Sequence, residues 1–381
     1  MRILLFADHP IQYQVPIFRK LDELFPTELQ VLFRDLQMGN GAIDPDFGRA
    51  VRWDTPILEG YQYAPTARGR VFAELRKYRP EAIVLFVGYS DSWAWEVLLC
   101  AKLLGVPVLW RFEGTDRLTY SSKLRGNLRN IILAELYRHV SGFLSVGRGC
   151  TAHLKSHGVQ EERIFSAPYN VDSELFEAMY QQLRPSRTAL RAKLGLAADD
   201  FAFVVVGKLI ERKNPDCILR ALRLLQHNPH IKVLFVGSGP LEERLQTASQ
   251  AEFQGRLFFS GFANQTELAQ YYVSADAAIL ASRYETWGLV VNEAMHFGLP
   301  VLVASNIGCH GDLVERGRTG YTFEDNDARD LAGKMDLLAN QPADAAALGA
   351  AGHDLIQQYT TEAAALGIAE ALRAVTRQSL H

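Results

Sequence analysis

The chain has 381 residues, 48% of them hydrophobic and 22% charged, and a net charge of −3. That length favours two domains, and the weak charge gives no reason to expect nucleic acid or an acidic polymer as a partner. The four cysteines, Cys100, Cys150, Cys217 and Cys309, lack paired spacing, which argues against a disulfide framework or a zinc site and fits a reducing cytoplasm.

The opening run Met1–Pro10 is too short for the apolar core of a signal peptide and reads as a first buried strand. No apolar run approaches the roughly 18 residues that span a bilayer. The expectation is a soluble cytoplasmic protein, associated at most with the inner face of a membrane. Short apolar runs recur at Arg2–Phe6, Leu29–Phe33, Ala82–Val87, Val106–Arg111 and Gly142–Val146. A second series follows at Ala202–Val206, Lys232–Val236, Leu257–Ser260, Ala277–Leu280 and Val301–Ala304. Each run is trailed by a longer stretch of helical spacing. Apolar strands alternating with helices indicate parallel sheets covered on both faces. Two series indicate two doubly wound α/β domains. The break falls after Pro168–Asp172, giving a first domain over 1–172. A polar, helix-prone linker near 172–198 leads into a second domain, the two together covering 173–358, with a last helical stretch over 359–381. Ligands of open α/β sheets sit beyond the carboxyl ends of the strands, so the residues just after strands are the ones to read for chemistry.

The most informative segment is Arg283–Met295. Gly288 onward reads as a helix start, whose free N–H groups and positive dipole end suit a diphosphate. Gly288 has no side chain to hinder the approach. Glu293, about a turn and a half into the helix, is placed to accept paired hydrogen bonds from vicinal hydroxyls, as acidic residues do from ribose. Glu285, before the helix, is free to meet the hydroxyls of a sugar beyond the phosphates. Taken singly, a glutamate on a helix is more often a solvated face residue.

The two glutamates, separated by seven residues and followed by Gly298–Val301 and Gly320, resemble the family 4 retaining glycosyltransferases. The segment Gly207–Lys213 is similar to that family's phosphate-binding loop, and Val236–Leu241 to its next strand-loop-helix. Gly261-Phe262 and Ala275-Asp276 also stand where the family pattern has them. The resemblance implies the GT-B fold, two Rossmann-like parallel-sheet domains facing across a deep cleft, with the last helix crossing back to the first domain. It implies a nucleoside diphosphate sugar as donor, a small-molecule, glycan or lipid-linked hydroxyl acceptor, retention of configuration, and neither metal nor cofactor. Glu285 would contact the transferred sugar, Glu293 the ribose, and the amides of Gly288, Leu289 and Val290 the distal phosphate. Lys208 and Lys213 would neutralise the leaving diphosphate, with Gly207, Gly237 and Phe262 completing the donor set. Gly237 either shapes a turn or contacts the base. Lys208 stands where the family usually has arginine; it keeps the charge but loses the bidentate fork.

The first half resembles the family less closely. Asp8–Tyr13 follows the first strand, with Pro10 where many members have glycine. His9 there either bonds a substrate group or caps its own loop. Glu113 follows the fourth strand, where the family commonly has histidine. It either meets sugar hydroxyls or the acceptor nucleophile, or is a buried acid paired with Arg111 or Arg148. Glu285, Glu113, His9 and Lys213 are the catalytic candidates, with Asp116 and Arg148 behind them. Two cationic stretches, Arg68–Arg79 and Arg117–Arg129, stand out, and the second has amphipathic spacing suited to anionic lipid. A solvated face over a buried stripe is the commoner outcome of that pattern. Cell-envelope glycan or polysaccharide synthesis is the setting by analogy. The alternatives are a GT-B epimerase or phosphorylase and, more remotely, a Rossmann dehydrogenase or a non-catalytic nucleotide-binding protein. No Gly-x-Gly-x-x-Gly follows the first strand, which counts against the dehydrogenase.

Overall fold

The computed structural model describes residues 1–26, 28–37, 40–44, 49–113 and 123–378; Asp116 and Arg117 lie outside the described residues. Two compact units emerge. Unit 1 comprises Met1–Ala42, Pro56–Asn170 and Thr360–His381, and unit 2 comprises Ile43–Thr55 and Val171–Tyr359.

The first half contributes β1 (Ile3–Ala7), α1 (Val15–Leu24), β2 (Leu29–Phe33), β3 (Asn40–Asp44), β4 (Arg49–Arg52), β5 (Tyr63–Pro65), α2 (Val71–Tyr78) and β6 (Ala82–Phe86). It continues with α3 (Ser92–Leu104), β7 (Val108–Phe112), α4 (Lys123–Arg138), β8 (Gly142–Ser145), α5 (Arg148–Ser156) and β9 (Ile164–Ser166). Seven strands pair in the order β5-β2-β1-β6-β7-β8-β9, with parallel neighbours throughout. All five residues of β1 and of β6 are buried. That is what continuous apolar strands covered on both faces require. The local signals agree: α3 starts at Asp91, whose carboxylate accepts from Trp93 N, and stops at left-handed Gly105.

Unit 2 holds α6 (Ser173–Leu183), α7 (Arg187–Lys193), β10 (Phe201–Val206), α8 (Pro215–Leu224), β11 (Ile231–Val236), α9 (Glu242–Glu252), β12 (Leu257–Phe259), α10 (Gln265–Ser274) and β13 (Ala277–Leu280). Then come α11 (Leu289–His296), β14 (Val301–Ala304), α12 (His310–Leu313), β15 (Gly320–Phe323), α13 (Ala328–Asn340) and α14 (Pro342–Ile356). The sheet runs β12-β11-β10-β13-β14-β15, again parallel. The last helix, α15 (Thr361–Gln378), belongs to unit 1 and packs on α1, β8 and β9.

The ten expected strands form, and short strands the apolar pattern did not announce join the sheet edges. β5 and β9 are edge strands with largely uncovered side chains, so they carry no continuous apolar run. The stretch expected as a linker is instead the packed pair α6 and α7. Its arginines made it look solvated, but Arg191 is buried, bonding Ser274 O at 2.9 Å and Asp276 at 2.9 Å. Asp276 also takes Arg187 at 2.6 Å and the Ala202 amide at 2.8 Å. The Ala275-Asp276 motif therefore ties α7 to the start of β10.

Gly367 lets α15 approach the backbone of β9, since a Cβ there would collide with Ser166 O. Gly367→Ala is expected to destabilise unit 1 by roughly 1–3 kcal/mol, as overpacked interfaces do. Urea unfolding checks it; an unchanged midpoint would show that α15 is not held at this distance.

Candidate functional site

In unit 2 the strand order reverses between β10 and β13, so the loops after these two strands flank a topological switch point, where α/β sheets bind ligands. Gly207-Lys208 follows β10, and a 3-10 turn at Glu211–Lys213 carries the chain to α8. Arg283–Gly288 follows β13. The two loops are tied together: Arg283 N donates to Arg212 O at 2.8 Å, and Arg212 Nη1 to Tyr284 O at 3.2 Å.

Lys213 lies at the centre. Its Nζ stands 2.7 Å from Glu285 Oε1, with Arg212 Nη1 at 2.9 Å and Ser282 Oγ donating at 3.0 Å. Burial pushes the Glu285 carboxyl up, but the Lys213 charge and hydrogen bond, with Arg212, outweigh it and hold the group below the usual glutamate range. Glu285 is therefore an anion bracketed by two cations.

Glu293 is treated oppositely by the fold. It points from α11 into the interior, where Tyr272 of α10 donates to its Oε2 at 2.6 Å. Burial pushes its carboxyl up to about 7, against the Tyr272 hydrogen bond and the Lys213 charge. Tyr272, Arg212 and Ser282 were not singled out by sequence reasoning. Tyr272 sits 21 positions from Glu293 in a helix whose pattern reads as core, so only folding reveals the pair.

The glycines serve packing as well as access. Gly237, at φ +143°, lies against Gly207, whose carbonyl a Cβ would strike; its amide donates to Gly261 O at 2.8 Å. The loops after β10, β11 and β12 thus interlock through backbone. Gly288, at φ +107°, precedes α11, and a Cβ there would meet Leu280 at 2.6 Å. The first-turn amides of Leu289 and Val290 have no acceptor within their helix. Lys208 and Phe262 are half-buried in the loops after β10 and β12. Trp287 is buried and donates to Asn292 at 2.8 Å, which makes it packing.

In unit 1, His9 follows β1 with Nδ1 3.4 Å from Asp8, and Asp8 also pairs with Arg34. The His9 hydrogen bond leads in holding the Asp8 carboxyl below its usual range, with the Arg34 charge assisting against burial. Glu113 follows β7, half-buried, beside Tyr169 and Tyr13. Burial, then the Glu113 charge, pushes the Tyr169 phenol well above its ordinary value. Arg111 is 4% exposed and lies over the rings of Phe86 and Tyr169 at 5.3 and 5.1 Å. It makes no ion pair with Glu113, and its Nε and Nη1 find no partner among the described residues. The cluster of metal-ligand type found among the described residues, Asp199, Asp200 and His230, lies at the opposite ends of the strands, before β10 and β11. Lys232 Nζ stands 3.4 Å from Asp200 there.

Residues 28–175 match the family described as Glycosyltransferase Family 4, and residues 186–354 that described as Glycosyl transferases group 1. A sulfoquinovosyl transferase of Arabidopsis thaliana is 26% identical over 80% of this chain and 59% of its own length. A D-inositol 3-phosphate glycosyltransferase of Rhodococcus jostii is 31% identical over 55% of this chain and 48% of its own. The matched region thus spans about half to three-fifths of these relatives. Among solved structures, Anabaena HepE in complex with UDP superposes with a TM-score of 0.76 at 17% identity, covering 98% of this chain and 100% of that one.

The raised Glu293 carboxyl has a consequence for stability. A carboxyl whose folded pKa of about 7 exceeds the ordinary 4.5 contributes fully below about pH 4.5, and that contribution is lost as pH rises through 7. Glu293→Gln keeps an acceptor for Tyr272 and cannot ionise. The variant is expected to unfold at the same temperature as the parent near pH 4, and to be more stable at pH 8 by on the order of 3 kcal/mol. Thermal unfolding across that range, without nucleotide, checks it; a pH-independent difference would reject the buried-carboxylate account.

Proposed function

The chain belongs to the family 4, group 1 glycosyltransferases with the GT-B fold, and from that premise we propose that it moves a sugar from a nucleoside diphosphate sugar to a hydroxyl acceptor. The observation that carries this is Lys213 at the switch point of unit 2, ion-paired with an ionised Glu285 and near enough for its charge to act on the buried Glu293. A cation whose charge acts on two carboxylates matches a ligand that alternates sugar, diphosphate and ribose. The UDP and UDP-glucose bound by HepE favour a uridine diphosphate sugar as the first donor to try.

In this reading Glu293 takes the ribose hydroxyls with the oxygen that Tyr272 leaves available, and Glu285 takes the sugar hydroxyls. Lys208, Lys213, Arg212 and the α11 amides carry the diphosphate charge, an electrostatic role that needs no metal. The bond from the sugar anomeric carbon to phosphate oxygen breaks as the acceptor oxygen bonds that carbon from the same face, retaining configuration. The acceptor proton passes to the departing phosphate oxygen. Glu113 and His9, after strands of the other sheet, serve the acceptor.

At pH 8, where the Glu293 carboxyl is ionised, Glu293→Ala is expected to weaken UDP binding by roughly 1.5–3 kcal/mol, the cost of losing a charged hydrogen-bond partner. Glu285→Ala should lower turnover yet leave UDP binding intact or tighter, because Lys213 loses a competing anion. Calorimetry with UDP tests both, and equal loss in the two variants would reject this division of roles. Turnover should also survive EDTA; loss on chelation, restored by magnesium or manganese, would overturn the metal-free reading.

Glu113→Gln keeps shape and removes charge. Turnover is expected to fall about 10²-fold with folding unchanged, because the charge that orients the acceptor hydroxyl is lost. Near-parental turnover would make Glu113 a structural partner of Tyr169.

A further inference from the structure

Unit 1 leaves a stripe of large apolar side chains in solvent. On α3, Trp95, Leu99 and Leu103 recur at every fourth position, with Leu99 60% and Leu103 68% exposed. Such a face on a helix interior to a domain would be covered; here it is bare. Phe72 of α2 and Ile131 and Ile132 of α4 are also exposed.

These residues share one surface. α3 joins β6 to β7 and α4 joins β7 to β8, and right-handed crossovers put both helices on the same side of the sheet. Side chains tie them at both ends. Tyr89, before α3, receives Arg129 of α4 at 3.0 Å on its hydroxyl and Trp95 at 2.9 Å on its carbonyl. Lys102 Nζ lies 3.4 Å from His139, just past α4. α2 is pinned alongside, the Glu96 carboxylate of α3 accepting from Gly69 N and Val71 N at 3.0 and 3.2 Å.

The margin of this surface is cationic. Arg70, Arg76, Lys77 and Arg79 are exposed on and around α2, with Glu74 the lone carboxylate of that stretch. We propose that the α2–α3–α4 face docks on the headgroup layer of an anionic lipid bilayer, the leucines and Trp95 entering the boundary and the α2 cations meeting the lipid charge. Apolar helix faces flanked by cations, with a tryptophan among them, have the composition of interfacial helices. A second copy of the chain fits less well, since a twofold contact would set the two cationic margins against each other. The face centres on α3, upstream of the Arg117–Arg129 stretch whose spacing suits anionic lipid. No helix among the described residues is long and apolar enough to cross a membrane, so this contact lies on the surface.

The test is co-sedimentation of the full chain with vesicles of pure phosphatidylcholine and with vesicles containing one-third phosphatidylglycerol. The chain is expected to sediment with the anionic vesicles, and less so as salt rises. Leu99→Glu/Leu103→Glu should cut that binding at least roughly tenfold, since two exposed leucines lose their apolar burial. Its unfolding temperature should match the parent's, because both side chains are already in solvent. Arg76→Glu/Lys77→Glu should weaken binding to anionic vesicles alone. Absence of sedimentation at low salt, or equal binding by the leucine variant, would overturn the proposal. So would a parental dimer in light scattering that the leucine substitutions dissolve without any vesicle binding.

Discussion

The contact between Lys213 and Glu285 is the interaction on which the organisation of unit 2 turns. It joins the loop after β10 to the loop after β13, across the point where the strand order reverses. A partly buried ion pair is weak evidence for stability, because desolvation offsets much of its Coulomb attraction. Its value here is placement. It holds a cation where a diphosphate would need one and, with Arg212 and Ser282, fixes the direction of the Glu285 carboxylate.

The same lysine acts on Glu293, yet the two carboxylates end in different states. Glu285 has two cations and a hydroxyl around it and stays ionised. Glu293 has one phenol and an interior wall, so burial dominates and its carboxyl moves up to about 7. Two chemically identical side chains eight positions apart thus present different hydrogen-bonding faces at neutral pH. Backbone interlock supports this arrangement: Gly237 lies where a Cβ would strike the Gly207 carbonyl, and its amide donates to Gly261 O, so three loops meet through main chain.

Unit 1 is built on the same plan but carries different chemistry at the same edge of its sheet. His9 is engaged by Asp8, and Glu113 stands among the buried tyrosines 13 and 169. Arg111 lies over the Phe86 and Tyr169 rings rather than pairing with that glutamate. Its outer helices, by contrast, leave apolar surface uncovered beside cations.

Much of this was legible in residue order. Central strands such as β1 and β6 announce themselves because burial on both faces demands an unbroken apolar run. Gly288 ahead of a helix, with Glu285 and Glu293 on either side of it, is a local pattern, and so is the basic loop Gly207–Lys213. The sheet-edge strands β5 and β9 were not legible, since they are only partly covered. Nor was the packing of α6 and α7, where buried Arg191 answers to a carbonyl and to Asp276 far along the chain. The sequence by itself determined the two parallel-sheet units and the loops that bear the charges, because strand burial and helix starts depend on neighbours in the chain. Only the tertiary structure decided that Tyr272 meets Glu293, that Lys213 serves both carboxylates and that the face of α3 stays bare. Those depend on distances between elements, which no local pattern encodes.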